Sequence, residues 1–193
     1  MKKELKIYLF RHGQTTYNKN KIFTGWSESH LTPLGIKQAK IIAKKLKNKK
    51  FQVAFQTKLS RSKDTLKEVL KFHPECKELI EANQMIERNY GDFNGLKHNT
   101  IIKKYGEEQY EHWHRGFGDR APKGESFADV EVRVKSFIKD LLKFMKKEQV
   151  SVAISAHGNS IRLFRKIMEH ASREQTVKWI IPYDKVFTYS IKI

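Results

Sequence analysis

The sequence predicts an α/β protein of three layers (α/β/α), in which helices cover both faces of a mainly parallel sheet. Apolar runs of strand length alternate along the chain with segments whose apolar residues recur at helical spacing. Two runs, at residues 5–10 and 150–156, are apolar almost throughout, as strands buried on both faces are. With 39% hydrophobic residues, a chain of 193 residues buries roughly 70% of the surface that it exposes when unfolded. We therefore expect one domain over residues 1–193, without an internal repeat or a linker.

The order of the elements follows from local patterns. Thr32 is typical of an N-cap and Pro33 of a first helical position, so a helix is predicted over about 33–47. The remaining predicted elements are a strand at 51–55, a helix at 58–72, a short strand and a loop over 79–95, a polar helix at 97–114, a loop at 116–124, a long helix from 126, a strand at 150–156, a helix after 157, and a last strand within 179–193. We expect the last strand at a sheet edge.

The chain is strongly basic, with 39 Lys and Arg against 21 Asp and Glu, a formal charge of +18. Such a charge raises the possibility of a polyanion-binding module without enzymatic activity. Lysines occur all along the chain, however, and aromatic residues are not interleaved with them as single-strand binding requires. We interpret the charge as a solvated surface that gathers small anionic substrates, and we expect no specific nucleic-acid partner.

Cysteine content and hydropathy restrict the location. Cys76 is the only cysteine, so an intrachain disulfide and a multi-cysteine metal cluster are both excluded. No apolar segment approaches the roughly 18 residues that span a bilayer, and no cleavage-site pattern follows Met1. We expect a soluble, cytoplasmic protein that does not associate with membranes.

Cationic and imidazole side chains follow the predicted buried strands. Arg11 and His12 stand where the first strand meets a loop, and His157 stands at the end of the 150–156 strand. Ligands of open α/β sheets bind at the carboxyl ends of such strands. If the two strands are neighbours, the two imidazoles share one crevice.

This set of residues suits phosphoryl transfer. An imidazole such as His12 is a nucleophile at neutral pH and also a leaving group, because its ordinary pKa is near 6.5. The charged oxygens of a phosphoryl group require cationic donors, for which Arg11 and Arg61 are candidates. Free backbone N–H groups at the helix start that contains Gly158 and Asn159 favour an anion as well.

Five sequence blocks carry a resemblance to a known family. They are Arg11-His12-Gly13 with Thr15 and Asn18, Phe23-Thr24-Gly25-Trp26, Leu59-x-Arg61-x-x-x-Thr65, Glu87-Arg88-x-Tyr90-Gly91, and Ala156-His157-Gly158-Asn159-Ser160-x-Arg162. In order and spacing, over about residues 5–190, they resemble the histidine phosphatase superfamily, and within it the cofactor-dependent phosphoglycerate mutases. The resemblance implies the mutase-like fold.

The resemblance also implies residue roles. His12 would accept the phosphoryl group, and Glu87 would be the general acid and base. The implied ligands of the phosphoryl group are Arg11, Arg61, His157 and Asn18, and the implied further contacts to substrate or phosphate are Thr15, Thr24, Gly25, Tyr90, Gly158 and Asn159. The implied reaction interconverts 3-phosphoglycerate and 2-phosphoglycerate in glycolysis and gluconeogenesis. It uses 2,3-bisphosphoglycerate as the primer that phosphorylates His12, and it needs no metal.

Two departures from the family pattern concern the substrate carboxylate. Mutases of this family usually have a lysine after the Tyr-Gly block and a Trp-Arg-Arg triplet, where this chain has Lys97-His98 and Trp113-His114-Arg115. Neutral imidazoles would weaken carboxylate capture, although Lys97 and Arg115 are near enough in sequence to compensate. A phosphatase of the same fold that acts on small phosphomonoesters therefore remains an alternative. We expect a small phosphorylated substrate and a monomer or homodimer.

Overall fold

The computed structural model describes residues 4–192, which fold around one five-stranded sheet. The strands are β1 (Glu4–Arg11), β2 (Val53–Gln56), β3 (Glu78–Glu81), β4 (Val152–Ala156) and β5 (Val186–Lys192). Their order in the sheet is β3-β2-β4-β1-β5, in which only the β1–β5 pair is antiparallel. The predicted mainly parallel sheet is confirmed, and the last strand lies at an edge as expected.

Helices connect these strands and cover the sheet. They are α1 (Thr16–Lys19), α2 (Pro33–Leu46), α3 (Ser60–Leu70), α4 (His98–Tyr105), α5 (Glu107–Arg115), α6 (Phe127–Glu148), α7 (Gly158–Glu169) and α8 (Arg173–Lys178). Two short 3-10 turns, at Asn83–Met85 and Gly91–Phe93, interrupt the segment between β3 and α4. None of the helices within residues 4–192 combines the length and the apolar character of a membrane span.

The predicted single helix over 97–114 is wrong. The chain forms α4 and α5 instead, separated at Gly106, whose φ is +85° and ψ 158°. Helical backbone requires negative φ, so α4 ends there and the chain changes direction. The short helices α1 and α8 were also absent from the sequence prediction, because helices of four to six residues carry little periodicity.

Side chains of the sheet alternate between two cores, which makes the three layers. On one face Ile7, Leu9 and Ile154 pack in a cluster with residues of α6 and α7. On the other face Tyr8 and Phe10 pack in a cluster with residues of α2 and α3. The three-layer α/β/α class predicted from the sequence is confirmed.

A third apolar cluster supports the loops beyond the sheet. It consists of Phe23, Tyr90, Phe93, Ile101, Tyr110 and Ala121. These residues come from the loop after α1, the Tyr90 region, α4 and α5, so packing among them ties the two polar helices to the rest of the fold. The cluster positions α4 and α5 as one wall of the cavity described next.

Candidate active site

A polar cavity of about 160 Å³ lies where β1 and β4 end. β1 and β4 are parallel neighbours, with Arg11 opposite Ala156, so the residues after each strand come together. The cavity is lined by Arg11, His12, Asn18, Ile22, Phe23, Thr24, Gly25, Arg61, Glu87, Tyr90, His98, His114, Arg115, Gly158, Asn159 and Arg162. Most of the site residues predicted from the sequence therefore share one cavity, and His157, Thr15 and Lys97 do not line it.

His12 is held as a neutral nucleophile. Its Nδ1 lies 2.7 Å from the carbonyl oxygen of Gly13, and because a carbonyl only accepts, Nδ1 carries the proton and Nε2 keeps its lone pair. Burial, together with the charges of Arg61 and Arg11, holds the pKa of His12 well below its usual value of 6.5. His12 is thus deprotonated at Nε2 at neutral pH.

His157 lies beside His12 but behind the cavity wall. The two ring centroids are 5.0 Å apart, and His157 is fully buried. Its Nε2 is 2.8 Å from Oγ1 of Thr57, and burial and the charge of Arg61 keep its pKa well below 6.5. The sequence expectation that the two imidazoles meet is confirmed, because β1 and β4 are adjacent.

Two arginines are fixed by backbone carbonyls beside His12. Arg61 is buried and donates from Nη1 to Ser27 O (2.8 Å) and from Nη2 to Gly25 O (2.7 Å). Burial lowers the pKa of Arg61 to about 10, which leaves it charged at neutral pH. Arg11 donates from Nη1 to Ile181 O, and its guanidinium lies 4.1 Å from the centre of the Tyr183 ring.

Three buried polar atoms around His12 have no hydrogen-bond partner in the described part of the chain. They are Arg11 Nε, Arg61 Nε and Nδ1 of His157. Buried polar groups in proteins are almost always hydrogen-bonded, so three unpaired ones at a single place indicate a ligand that accepts hydrogen bonds. A phosphoryl group on His12 would be such an acceptor.

Glu87 presents one oxygen to the site. Its Oε1 accepts hydrogen bonds from the backbone N–H groups of Arg88 (2.8 Å) and Asn159 (3.0 Å). No hydrogen bond to its Oε2 is found over residues 4–192, although Glu87 is largely buried and lines the cavity. A carboxyl group so oriented can exchange a proton with a substrate oxygen through Oε2.

Other predicted contacts divide into cavity residues and supporting residues. Thr15 is buried and is the N-cap of α1, where its N–H and Oγ1 both donate to Oδ1 of Asn18. This leaves the Nδ2 group of Asn18 for a ligand. Gly25 lines the cavity with a φ of +47°, and a Cβ there would lie 2.0 Å from Oδ1 of Asn94. Its carbonyl is one of the anchors of Arg61.

The end of the cavity formed by α4 and α5 has neutral imidazoles. Burial lowers the pKa of His98 to about 4 and that of His114 to about 2, with the charge of Arg115 as a second cause for each. His98 stacks on Phe23 with ring centroids 4.0 Å apart, and its Nδ1 is 2.7 Å from the hydroxyl of Tyr110. Both imidazoles are therefore neutral at neutral pH.

Lys97 is exposed at the N-terminus of α4 and does not line the cavity, so the expected compensation from this lysine is not seen. Sequence reasoning also missed two residues. Arg162 lines the cavity, and Tyr183 lies against Arg11. Arg162 had a signal, since it ends the motif that begins with Ala156, whereas Tyr183 stands in a segment without a motif.

Taken together, a neutral imidazole, two charged guanidinium groups and a carboxyl group surround one small cavity. This combination is what phosphoryl transfer through a histidine requires. Among residues 4–192 there is no group of three or more His, Cys, Asp or Glu that could hold a metal ion.

Comparisons with known proteins identify the class. The sequence profile of the Histidine phosphatase superfamily (branch 1) matches residues 7–191. A phosphoglycerate mutase of Schizosaccharomyces pombe is 37% identical over 177 residues, which are 89% of this chain and 83% of that protein. The 2,3-bisphosphoglycerate-dependent phosphoglycerate mutase 2 of Gloeobacter violaceus is 35% identical over 179 residues, covering 92% of this chain and 81% of that protein.

Solved structures share the fold. The phosphoglycerate mutase of Bacillus anthracis superposes with a TM-score of 0.82 at 22% identity, covering 98% of this chain and 89% of that one. A mycobacterial glucosyl-3-phosphoglycerate phosphatase gives 0.77 at 21% identity, with 91% and 84% covered. The chain belongs to the histidine phosphatase superfamily. It is an enzyme of that superfamily with a phosphoglycerate mutase-like fold.

Proposed function

We propose that this enzyme is a 2,3-bisphosphoglycerate-dependent phosphoglycerate mutase that works through a phosphorylated His12. The observation that carries the proposal is the set of unpaired buried polar atoms, Arg11 Nε, Arg61 Nε and His157 Nδ1, around a neutral imidazole. Relatives at 35–37% identity that are named as phosphoglycerate mutases support the choice of substrate.

The residues present fit a bisphosphorylated primer. Its reacting phosphate would be held by the unpaired Nε–H groups of Arg11 and Arg61 beside His12, and its other anionic groups by Arg115 and Arg162, which line the same cavity. When bound, 2,3-bisphosphoglycerate would supply the phosphoryl group that His12 carries.

The chain's own residues account for the remaining chemistry. Nε2 of His12 attacks phosphorus while Gly13 O holds the Nδ1 proton, so the phosphorylated ring keeps its orientation. Arg11 and Arg61 neutralise the charge of the three phosphoryl oxygens. Glu87 gives a proton to the departing hydroxyl oxygen and takes one from the attacking hydroxyl in the reverse half-reaction.

A labelling experiment tests the proposal. Purified enzyme is incubated with 2,3-bisphosphoglycerate carrying labelled phosphate and then with unlabelled 3-phosphoglycerate. We expect acid-labile label on His12, followed by transfer to monophosphoglycerate and isomerisation that the primer stimulates. The matched control is His12→Ala, which should take up no label. Isomerisation without primer stimulation would rule out dependence on 2,3-bisphosphoglycerate, and the absence of isomerisation would rule out the mutase assignment.

A phosphatase acting on small phosphomonoesters is the second candidate. The neutral His98 and His114 favour it, because they stand where family mutases have a lysine and an arginine for the substrate carboxylate. A weakly held acceptor leaves room for water to attack phosphorylated His12. In the labelling experiment this activity appears as free phosphate released faster than monophosphoglycerate is interconverted.

A further inference from the structure

We propose that Arg162 is a specificity-determining residue that, together with Arg115, binds an anionic group of the substrate other than the transferred phosphoryl group. The inference deepens the proposed function, since it concerns the substrate class of the same cavity. It starts from the observation that both arginines line this cavity.

Arg162 and Arg115 have no carboxylate partner within residues 4–192. The arginines Arg120, Arg133 and Arg165, in contrast, are each paired with a carboxylate at 2.6–3.0 Å. Within the described chain, Glu87 is the only carboxylate that lines this cavity, against the four arginines Arg11, Arg61, Arg115 and Arg162, so the lining has an excess of positive charge that favours an anion. Burial, and after it the charge of Arg115, lowers the pKa of Arg162 to about 10, which leaves Arg162 charged at neutral pH.

Both guanidinium groups are oriented by backbone carbonyls near the end of α8. Arg162 donates from Nε to Trp179 O (2.8 Å), and Arg115 donates from Nη1 to Val177 O (3.2 Å). Nη1 of Arg162 also donates to Oδ1 of Asn159 (2.6 Å). The Nη2 groups of Arg162 and Arg115 have no such partner over the described residues, so each arginine is fixed and keeps donors for a ligand. Fixed guanidinium donors suit a carboxylate or phosphate.

Within residues 4–192, the only cationic residues that line the cavity besides Arg11 and Arg61 are Arg115 and Arg162. His98 and His114 are neutral at neutral pH, and Lys97 is exposed outside the cavity. Recognition of an anionic end group is therefore concentrated on Arg115 and Arg162, whereas family mutases distribute it over a lysine and an arginine pair. We infer that the preference for an anionic substrate depends more strongly on Arg162 in this chain than it would in a mutase that also has the lysine and the arginine pair.

The test compares two ligands that differ only in the group that Arg115 and Arg162 would bind. 3-Phosphoglycerate carries a carboxylate where glycerol 3-phosphate carries a neutral hydroxymethyl group, and equilibrium titration gives the Kd of each for the wild type and for Arg162→Met and Arg162→Lys. We expect the wild type to prefer 3-phosphoglycerate by roughly 10- to 100-fold, the scale of a hydrogen bond to a charged group. Because Arg115 remains, Arg162→Met should reduce the preference by roughly tenfold while leaving the Kd of glycerol 3-phosphate within about twofold. Arg162→Lys should retain part of the preference.

Arg165→Met is the matched control, since Arg165 is on the same helix but is paired with Glu169 and does not line the cavity. It should keep the wild-type preference. Equal weakening of both ligands in Arg162→Met would show a structural role and overturn the inference, as would a wild type without preference. A wild type that prefers 3-phosphoglycerate but hydrolyses it instead of isomerising it would refute the proposed function and leave the assignment of Arg162 standing.

Discussion

At the scale of single residues, the site separates the groups that react from the groups that hold them. Glu87 is an example, because two backbone N–H groups fix Oε1 and leave Oε2 for a substrate oxygen. Trp26 and Arg133 in turn donate to the carbonyl oxygen of Glu87 at 2.8 and 3.1 Å, so the backbone at this position is held from two further sides. A carboxyl group held in this way can act in proton transfer without reorganisation.

The variant Glu87→Gln tests that role. A glutamine keeps the shape and one acceptor oxygen but cannot exchange a proton, so turnover of an alkyl phosphate should fall roughly 10²- to 10⁴-fold. An ester with a good leaving group, p-nitrophenyl phosphate, needs no proton at its leaving oxygen and should lose much less in single-turnover phosphorylation of His12. The measurement is the ratio of the two rates, variant against wild type.

Glu107→Gln serves as the control, since Glu107 is exposed on α5 and does not line the cavity. It should leave both rates unchanged. Equal losses on the two esters in Glu87→Gln would show that Glu87 positions the phosphoryl group and is not the acid.

At the scale of secondary structure, elements with strong periodicity could be predicted from the sequence and those governed by one backbone angle could not. Helix α6 has an apolar stripe over its whole length, and β1 and β4 are apolar almost throughout. The pattern over 97–114 looked continuous, because a single glycine is tolerated within many helices. Only the structure gives Gly106 a positive φ.

The variant Gly106→Ala tests this reading of the α4–α5 break. At φ +85° and ψ 158° only glycine is free of strain, and a non-glycine residue there destabilises the folded state by about 1–3 kcal/mol. No atom lies within 4 Å of a Cβ built at this position, so the cost is conformational and not steric. We expect the free energy of unfolding, measured by urea denaturation, to fall by about this amount.

Gly118→Ala is the matched control, because Gly118 also has open space around a built Cβ but no positive φ. It should change the free energy of unfolding little. Unchanged stability in Gly106→Ala would mean that the chain passes from α4 to α5 through another backbone conformation.

The same division applies to the site. The reacting end could be predicted because His12 and His157 each follow an apolar strand, and parallel strands bring their carboxyl ends together. At the α4–α5 wall, His98, His114 and Arg115 were named through the family resemblance and line the cavity, whereas Lys97 does not. Arg162 ends a motif but was given no role, and Lys97 was expected near the substrate, because spacing along the chain does not fix which side chains of different helices reach one cavity.

At the scale of the whole molecule, the chain has a formal net charge of +18, but four of its histidines are neutral at neutral pH. His12, His98, His114 and His157 all have pKa values below 6.5, with burial as the first cause and neighbouring arginines among the others. In the folded protein these four imidazoles therefore stay unprotonated below pH 6.5, whereas in the unfolded chain they would bind protons there.

This difference predicts an acid-sensitive fold. Because the folded pKa of each of these histidines is below the unfolded value, the stability that they contribute as neutral groups is fully present above pH 6.5. The contribution of His98 is lost between pH 6.5 and about 4, and that of His114 continues to fall toward about pH 2. Urea denaturation at several pH values should show the free energy of unfolding decreasing over this window.

The variant His98→Gln loses its stacking on Phe23 and should be less stable at every pH. Its free energy of unfolding should depend less steeply on pH, because one histidine with a lowered pKa is gone. His112→Gln, at an exposed position of α5, is the control and should keep the wild-type slope. Parallel curves for wild type and His98→Gln would show that other groups cause the acid sensitivity.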